Sequence, residues 1–283
     1  MDLSFFNCVV RINSSNSHLR KRISYIFKNF LINDSKPDVY FQVEPKTDNS
    51  ELTSSSEEFE ILFSYDGKSY SHWNYKDTFL PPLRISPLSG KYIVLHGCAT
   101  RMNERTSVFL APSMAGKTSL LMALINSGHK AISDDLLFID VSSMELMIYK
   151  KPVGIRETGL NLFPDLKYKL ESNFSNDVPL FYNTNGKKTW LIHLEDIYDK
   201  NVYFDRPSKV DFIFLPNQLA HGNSKKISSF EMYSTIFNSV CESGLEKGTI
   251  ADFVFLLLKN SKHYLPTADL NKACVEVNKI VQE

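Results

Sequence analysis

The pattern of apolar and polar positions predicts a chain that mixes short strands with amphipathic helices. Apolar residues spaced three and four apart indicate helices, whereas short apolar runs bounded by turn residues indicate strands. The predicted helices span residues 17–31, 228–239 and 249–260, with another helix opened by Lys117 and a terminal helix begun by Pro266 and Thr267. The predicted strands span residues 5–12, 39–43, 92–95, 108–110, 130–133, 136–139, 144–150, 188–194, 210–215 and 263–265. This mixture places the chain in the α/β class.

Turn residues divide the chain into two predicted parts. Asp66-Gly67 between two apolar runs predicts a β-hairpin, and the polar stretch 47–58 predicts a mobile loop. Prolines at positions 81, 82 and 87 mark a linker, so we expect an N-terminal α+β unit at residues 1–87 and a second domain at residues 88–283. The first unit either caps the second or docks a polypeptide. Aromatic residues on a hairpin are more often core, which favours the cap.

The segment most informative about chemistry is residues 108–135. A short apolar strand is followed by a loop and then by an apolar-periodic helix that opens with Lys117 and Thr118. This is the order of a Walker A phosphate loop, in which backbone N–H groups and the helix N-terminus hold phosphate. Lys117 would contact the terminal phosphates of ATP, and the Thr118 hydroxyl would bind Mg²⁺. The predicted nucleotide-binding residues are Ala111, Pro112, Ser113, Met114, Ala115, Gly116, Lys117, Thr118 and Ser119.

The loop departs from the usual G-x-x-x-x-G-K-[ST] pattern. Ala111 stands at the first glycine, where a Cβ can obstruct the close approach that glycine allows, and Met114 stands where a further glycine is common. An ordinary strand, turn and helix with a chance Gly-Lys-Thr is therefore the alternative. The surrounding strands and the amphipathic helix favour the phosphate loop, because a motif gains weight from its predicted context.

Two adjacent carboxylates, Asp134 and Asp135, follow the second strand of this segment. We call them the acid pair. One aspartate can bind Mg²⁺ while the other accepts a proton from an attacking hydroxyl. Neighbouring residues of a regular strand point to opposite faces, so both can act together only if the backbone bends there. The alternative is an acidic turn in solvent, which the apolar residues on both sides disfavour.

The segment resembles the HPr kinase/phosphorylase family and its relatives, which include the kinases that tailor lasso peptides. The resemblance rests on His96-Gly97 before the loop, on Lys117-Thr118, and on Gly128-His129 followed after four residues by the acid pair. It covers residues 95–135 and is faint beyond them. It implies a P-loop kinase core of the HPr kinase/phosphoenolpyruvate carboxykinase type, behind the N-terminal α+β unit.

The resemblance also implies roles for single residues. Asp135 would be the general base for a serine hydroxyl, Lys117 would stabilise the transferred phosphoryl group, and His96 would belong to the catalytic site. Asp134 and Thr118 are the expected Mg²⁺ ligands. Without the resemblance, His96 is more often a core or edge histidine than a catalyst, although its pKa suits proton transfer.

Two further features of the family are weak in this chain. Gly154 stands where the family has a metal-binding glutamate, so that ligand is either missing or supplied by Glu157. The segment that binds HPr and supports the reverse, phosphate-removing reaction is also absent, so phosphorolysis is not expected. Arg156 and Arg206 are candidate cations for stabilising the transition state, and either is equally compatible with an ordinary surface position.

Composition narrows the function classes. The chain has 283 residues, and its 32 Lys and Arg balance 32 Asp and Glu, so no nucleic-acid or membrane partner is expected. No apolar run approaches the roughly 20 residues of a membrane span, and no export signal is recognisable. The four cysteines lack zinc or disulfide spacing. These observations predict a cytoplasmic protein, and they leave a homo-oligomer open.

The predicted function is an ATP-dependent serine kinase that uses Mg²⁺. Its acceptor would be a peptide or small protein, such as a ribosomally made natural-product precursor. Two alternatives stay open. One is a nucleotide-binding switch without phosphoryl transfer, and the other is a kinase for a small metabolite.

Overall fold

The computed structural model describes residues 1–33, 35–45, 59–65, 68–75, 90–111, 115–173, 180–182, 188–198, 201–216, 225–240, 244–267 and 269–283. The strands in these ranges are β1 (Asp2–Phe5), β2 (Cys8–Asn13), β3 (Leu31–Ile32), β4 (Val39–Pro45), β5 (Phe59–Tyr65), β6 (Lys68–Tyr75), β7 (Tyr92–Met102), β8 (Arg105–Leu110), β9 (Lys130–Ser133), β10 (Leu136–Asp140), β11 (Glu145–Leu146), β12 (Val153–Arg156), β13 (Leu180–Tyr182), β14 (Lys188–Ile192), β15 (Ser208–Lys209), β16 (Phe212–Phe214), β17 (Lys225–Lys226) and β18 (Lys262–Leu265). The helices are α1 (Ser17–Ile26), α2 (Lys117–Asn126), α3 (Glu157–Leu160), α4 (Pro164–Asn173), α5 (Leu194–Ile197), α6 (Ser229–Ser239), α7 (Lys247–Lys259) and α8 (Leu270–Gln282), with a 3₁₀ turn at Lys28–Phe30. The protein is therefore a mixed α/β structure.

The chain divides into two compact units that are not continuous in sequence. The first contains Met1–Leu88 and Gly154–Ile192, and the second contains Ser89–Val153 and His193–Glu283. The boundary predicted between residues 87 and 88 did not anticipate that residues 154–192 belong to the first unit. Whether residues 1–87 form an independent domain stays a prediction.

The first unit contains a six-stranded sheet in the order β3-β1-β2-β4-β5-β6. The prediction of one strand over residues 5–12 is wrong, because Phe6 and Asn7 both adopt positive φ and form a tight turn between β1 and β2. The predicted helix 17–31 is also too long, since α1 ends at Ile26 and β3 begins at Leu31. The predicted hairpin is present as β5 and β6. Its Asp66-Gly67 turn, the stretch 47–58 and the prolines of the linker lie outside the described residues.

The second unit is built on a mixed sheet in the order β15-β11-β10-β7-β8-β16-β18-β17, with β9 also paired to β7. The long strand β7 is antiparallel to β8, and β8 is parallel to β16. One face of this sheet carries an apolar core that includes Leu95, Ala99 and Leu137 and packs against α6 and α7. Helix α2, which follows β8, packs against β7 and α8. Helix α2 therefore covers part of the sheet at β7.

Helix ends in this unit follow local chemistry. Gly128 adopts φ +91, and its N–H donates to Ile125 O while the His129 N–H donates to Leu124 O, as expected for a glycine that ends α2. The terminal helix α8 begins at Leu270 rather than after Pro266-Thr267, because the Asp269 side chain accepts from the Lys272 N–H and caps it. The predicted strand 144–150 is reduced to β11 at Glu145–Leu146.

No described helix is long and apolar enough to cross a membrane. Cys8, Cys98 and Cys274 are buried free thiols, and Cys241 lies outside the described residues.

Candidate active site

The N-terminus of α2 fixes the position of Lys117. Gly116 precedes the helix with φ +83, a conformation that suits glycine, and Lys117 is the first helical residue. The Lys117 side chain is buried, and its Nζ donates to Ala111 O at 2.6 Å and lies 3.0 Å from His96 Nε2. Lys117 therefore ties the end of β8 to β7. Ala115 and Ser119 flank this turn and are half-buried, whereas Pro112, Ser113 and Met114 lie outside the described residues.

The acid pair occupies an interruption between two strands that both pair with β7. Ser133 at the end of β9 lies opposite Ala99, and Leu136 at the start of β10 lies opposite His96. Ser133 and Leu136 are three positions apart in the chain, and so are their partners Ala99 and His96 on β7. The break between β9 and β10 therefore adds no extra residue relative to β7. Asp134 falls opposite Cys98 and Asp135 opposite Gly97, whose N–H donates to Asp135 O at 3.1 Å.

A backbone bend brings both carboxylates to the α2 side of the sheet. In a regular strand, Asp135 would share the face of Leu137 and point into the apolar core. Instead Asp135 adopts φ +71, and the Leu136 N–H donates to Asp134 O at 2.9 Å. The sequence showed that the acid pair can act together only if the backbone bends between the strands, and the structure has this bend.

Gly97 has a packing reason at this point. A Cβ on Gly97 would lie 2.7 Å from Phe109 O and 2.9 Å from Leu137 Cδ1. Backbone oxygens of neighbouring strands cannot move aside cheaply, so the close approach of β7, β8 and β10 at this position requires glycine. The His-Gly dipeptide is thus partly a structural feature.

Asp134 is a buried carboxylate that contacts Thr118. The Thr118 hydroxyl donates to Asp134 Oδ2 at 3.1 Å. Burial, reinforced by the negative charge of Asp135, raises the pKa of Asp134 from 3.8 to about 6. A cation beside this carboxylate would oppose both effects.

Thr118 and Asp134 fit a Mg²⁺ ion. They supply hard oxygen donors, and Mg²⁺ is commonly held by one or two carboxylates with the remaining ligands from water and phosphate. Among the described residues, no group of three or more His, Cys, Asp or Glu side chains could hold a metal ion by itself. The residues therefore fit a Mg²⁺ shared with a phosphate rather than one held by the protein alone.

Asp135 is more open and is held by two basic side chains. Its Oδ2 lies 3.1 Å from Lys151 Nζ, and its Oδ1 lies 3.3 Å from His96 Nδ1. Burial raises the pKa of Asp135, but the charge of Lys151, together with that of His96 once acid protonates it, outweighs burial and holds the pKa below 3.8. Asp135 is therefore a carboxylate at neutral pH although Asp134 is adjacent.

His96 bridges Lys117 and Asp135 as a neutral imidazole. Burial and then the Lys117 charge lower the pKa of His96 below 6.5. An ammonium group can only donate, so Nε2 accepts from Lys117 and the proton lies on Nδ1, facing Asp135. We call His96, Lys117, Thr118, Asp134, Asp135 and Lys151 the site cluster. Cys98 supports it, since its buried thiol donates to Lys117 O.

Lys151 is the member of the site cluster that the sequence did not predict. Its side chain is nearly inaccessible, and it lies sixteen positions after Asp135 in a segment between β11 and β12. The available signal was the Lys150-Lys151 pair placed directly after an apolar run, an unusual position for two charges.

The two predicted arginines belong to different units, Arg206 to the unit of the site cluster and Arg156 to the first unit. Arg206 is exposed and lies over the Phe204 ring at 5.7 Å, beside Arg101 near the far end of β7 from His96. Arg101 lies five residue steps along the strand from His96, roughly 17 Å. Arg156 is half-buried and Glu157 exposed at the start of α3 in the first unit, together with Gly154. Their predicted roles stay predictions.

Comparisons with known proteins add little to this geometry. No protein-family model matches the chain, and no curated protein matches it. Among solved structures, the chain is similar to the Hpr(Ser) kinase/phosphatase from Coxiella burnetii, with 10% identity and a TM-score of 0.34. The match covers 67% of this chain and 88% of that one. A likeness this low decides neither the fold nor the activity.

Proposed function

We propose that the protein is an ATP-dependent kinase that phosphorylates a serine hydroxyl of a peptide or small protein. The observation that carries the proposal is the path from Lys117 through His96 to Asp135, with contacts of 3.0 and 3.3 Å. The cation suited to the phosphates of ATP and the carboxylate suited to the acceptor are thus one imidazole apart. This spacing supports the proposal, because a bound phosphoryl donor and its acceptor would then lie close together.

The phosphates would lie at the N-terminus of α2. The backbone around residues 111–119 would supply N–H donors, and Lys117 would exchange its contact with Ala111 O for phosphate oxygens. Thr118 and Asp134 would hold Mg²⁺, which when bound neutralises charge on the phosphate oxygens. Because the loop at residues 111–118 departs from the usual Walker A pattern, nucleotide binding is the first property to measure.

Asp135 would act on the acceptor hydroxyl. The serine oxygen bonds to the γ-phosphorus, the bond from that phosphorus to the β,γ-bridging oxygen breaks, and ADP leaves. The hydroxyl proton moves to Asp135, which is a carboxylate at neutral pH for the reasons given above. His96, neutral and donating from Nδ1, orients that carboxylate and contacts Lys117 on its other side.

A polypeptide acceptor agrees with the exposure of Asp135. Its side chain is 42% exposed, so a hydroxyl on a large substrate can reach it, in contrast to the nearly buried Asp134. The resemblance of residues 95–135 to kinases that tailor lasso peptides favours a ribosomally made precursor peptide. That finer assignment is part of the proposal.

The proposal is tested with γ-³²P-labelled ATP, Mg²⁺ and a degenerate peptide library that contains one fixed serine. We expect label on peptide for the unaltered protein and loss of nearly all of that label for Asp135→Ala, which should still bind a fluorescent ATP analogue. Lys117→Ala should weaken both binding and transfer. Asp205→Ala, which removes an exposed acid of the same unit, is the matched control and should behave like the unaltered protein.

Other outcomes separate the alternatives. Nucleotide binding without transfer to any acceptor would indicate a switch, and label on small metabolites alone would indicate a metabolite kinase. Full transfer by Asp135→Ala would refute the assignment of the base.

A further inference from the structure

Lys151 is unusual because it is more deeply buried than the acid it pairs with. The Lys151 side chain is 4% exposed, whereas that of Asp135 is 42% exposed. Burying an ammonium group is costly unless it is paired with an opposite charge. Here Lys151 is enclosed by protein, whereas part of the Asp135 carboxylate is accessible to solvent.

The backbone of Lys151 is fixed by the residues that also define the acid pair. Its N–H donates to Tyr149 O, and its carbonyl accepts from the Tyr203 hydroxyl. Tyr149 in turn forms a bridge with Ser133, whose hydroxyl donates to Tyr149 O and to Leu136 O. Ser133 and Leu136 directly flank the acid pair. The anchor of the lysine and the bend of the acid pair are therefore one assembly.

We infer that Lys151 is a positioning residue for the proposed transfer, which holds Asp135 Oδ2 so that Oδ1 is directed to the acceptor hydroxyl. This inference rests on the proposed function. The contacts divide the carboxylate between two partners, with Lys151 Nζ on Oδ2 at 3.1 Å and His96 Nδ1 on Oδ1 at 3.3 Å. Asp135 has positive φ, a backbone conformation that is costly for residues other than glycine, so contacts with its surroundings must hold it there. Lys151 also supplies positive charge beside two adjacent carboxylates.

The chain offers a matched control in the neighbouring lysine. Lys150 has the same charge and length, but its Nζ lies over the Tyr203 ring at 5.5 Å. Lys150→Met and Lys151→Met therefore remove the same groups one residue apart, and only the second removes the contact with Asp135.

The test measures kcat and KM for transfer from γ-³²P-labelled ATP to the serine-containing peptide library, with the dissociation constant of a fluorescent ATP analogue. We expect Lys151→Met to lower kcat by about 100-fold, the cost of a misplaced catalytic group. Analogue binding should change by less than about threefold, since Lys151 contacts the acid and not Lys117. Lys150→Met should leave both quantities close to those of the unaltered protein.

A double variant separates positioning from a general structural role. If Lys151 acts through Asp135, adding Lys151→Met to Asp135→Asn should lower the residual kcat by less than about threefold, because interacting residues are not additive. This double variant removes both charges and so guards against misfolding of Lys151→Met, which circular dichroism would reveal. The inference is overturned if the second substitution costs as much in Asp135→Asn as in the unaltered protein, or if Lys151→Met retains kcat. Absence of transfer by the unaltered protein would instead overturn the proposed function and this inference with it.

Discussion

The two members of the acid pair should have opposite effects on stability when their charges are removed. Asp134→Asn should stabilise the metal-free protein at neutral pH, and Asp135→Asn should destabilise it. The expectation follows from their surroundings. Asp134 is buried beside a second negative charge, whereas Asp135 is paired with Lys151 and His96. Asparagine can still accept the hydrogen bond from the Thr118 hydroxyl.

The magnitude for Asp134 comes from its pKa, which rises from 3.8 to about 6 on folding. The folded state therefore binds the proton more tightly, and the ionised form costs stability above the unfolded pKa. Each unit of pKa is about 1.36 kcal/mol, so the cost approaches about 3 kcal/mol once the pH exceeds the folded pKa. Near pH 4.5 the folded carboxyl is mostly protonated, and the cost falls to about 1 kcal/mol.

The assay is urea denaturation followed by circular dichroism, in EDTA, at about pH 7.5 and about pH 4.5. Asp134→Asn should exceed the unaltered protein in free energy of unfolding at the higher pH, and the difference should shrink by about 2 kcal/mol at the lower pH. Asp135 has a lowered pKa, so its contribution is present above pH 3.8 and is lost as the pH falls through the folded pKa. Asp135→Asn should therefore be less stable than the unaltered protein at the higher pH.

A pH-independent effect of Asp134→Asn, or destabilisation at neutral pH, would refute the reasoning. Either result would mean that the charge of Asp134 is compensated without a bound metal. The same sign for both asparagine variants would also show that the two carboxylates do not occupy opposed electrostatic environments.

Three further predictions follow from single contacts. Gly97→Ala should destabilise the protein by about 1–3 kcal/mol in urea denaturation, since its Cβ would meet Phe109 O at 2.7 Å; an unchanged midpoint would contradict the packing argument. Asp269→Ala should cost about 1 kcal/mol in the same measurement, because it removes the cap of α8; a neutral result would show that the helix end is frayed. Mg²⁺ with a non-hydrolysable ATP analogue should raise the thermal midpoint of the unaltered protein but not of Lys117→Ala, and equal shifts would place the nucleotide elsewhere.

The organisation around the candidate site was largely accessible from the sequence, because it depends on local patterns. The strand before Ala111, the helix beginning at Lys117 and the glycine that ends it are each confirmed. The same holds for the strand before the acid pair. These elements depend on apolar periodicity and on glycine at positive φ, which neighbouring residues determine.

The sequence failed to predict features that depend on tertiary contacts or on unusual backbone conformations. Phe6 and Asn7 form a tight turn with positive φ although neither is glycine. The sequence of residues 5–12 therefore carried no glycine to mark the break between β1 and β2. Lys151 lies beside Asp135 in a segment where Tyr149 pairs with Ser133, a contact between segments that no periodicity encodes. The position of Arg206 over the Phe204 ring was likewise not predictable, because charge alone does not locate a side chain, and its role as a transition-state cation stays a prediction.

The interruption at the acid pair also limits how this protein can change in length. Ser133 and Leu136 keep the same separation as Ala99 and His96, so deleting one residue between β9 and β10 would shift one strand by a single step against β7. Leu137 and Ile139 would then exchange faces with Leu136 and Phe138, and the apolar layer against α6 and α7 would lose its fit. Substitutions at the acid pair can therefore be tolerated by the sheet, whereas insertions and deletions there should be excluded among functional variants of this chain.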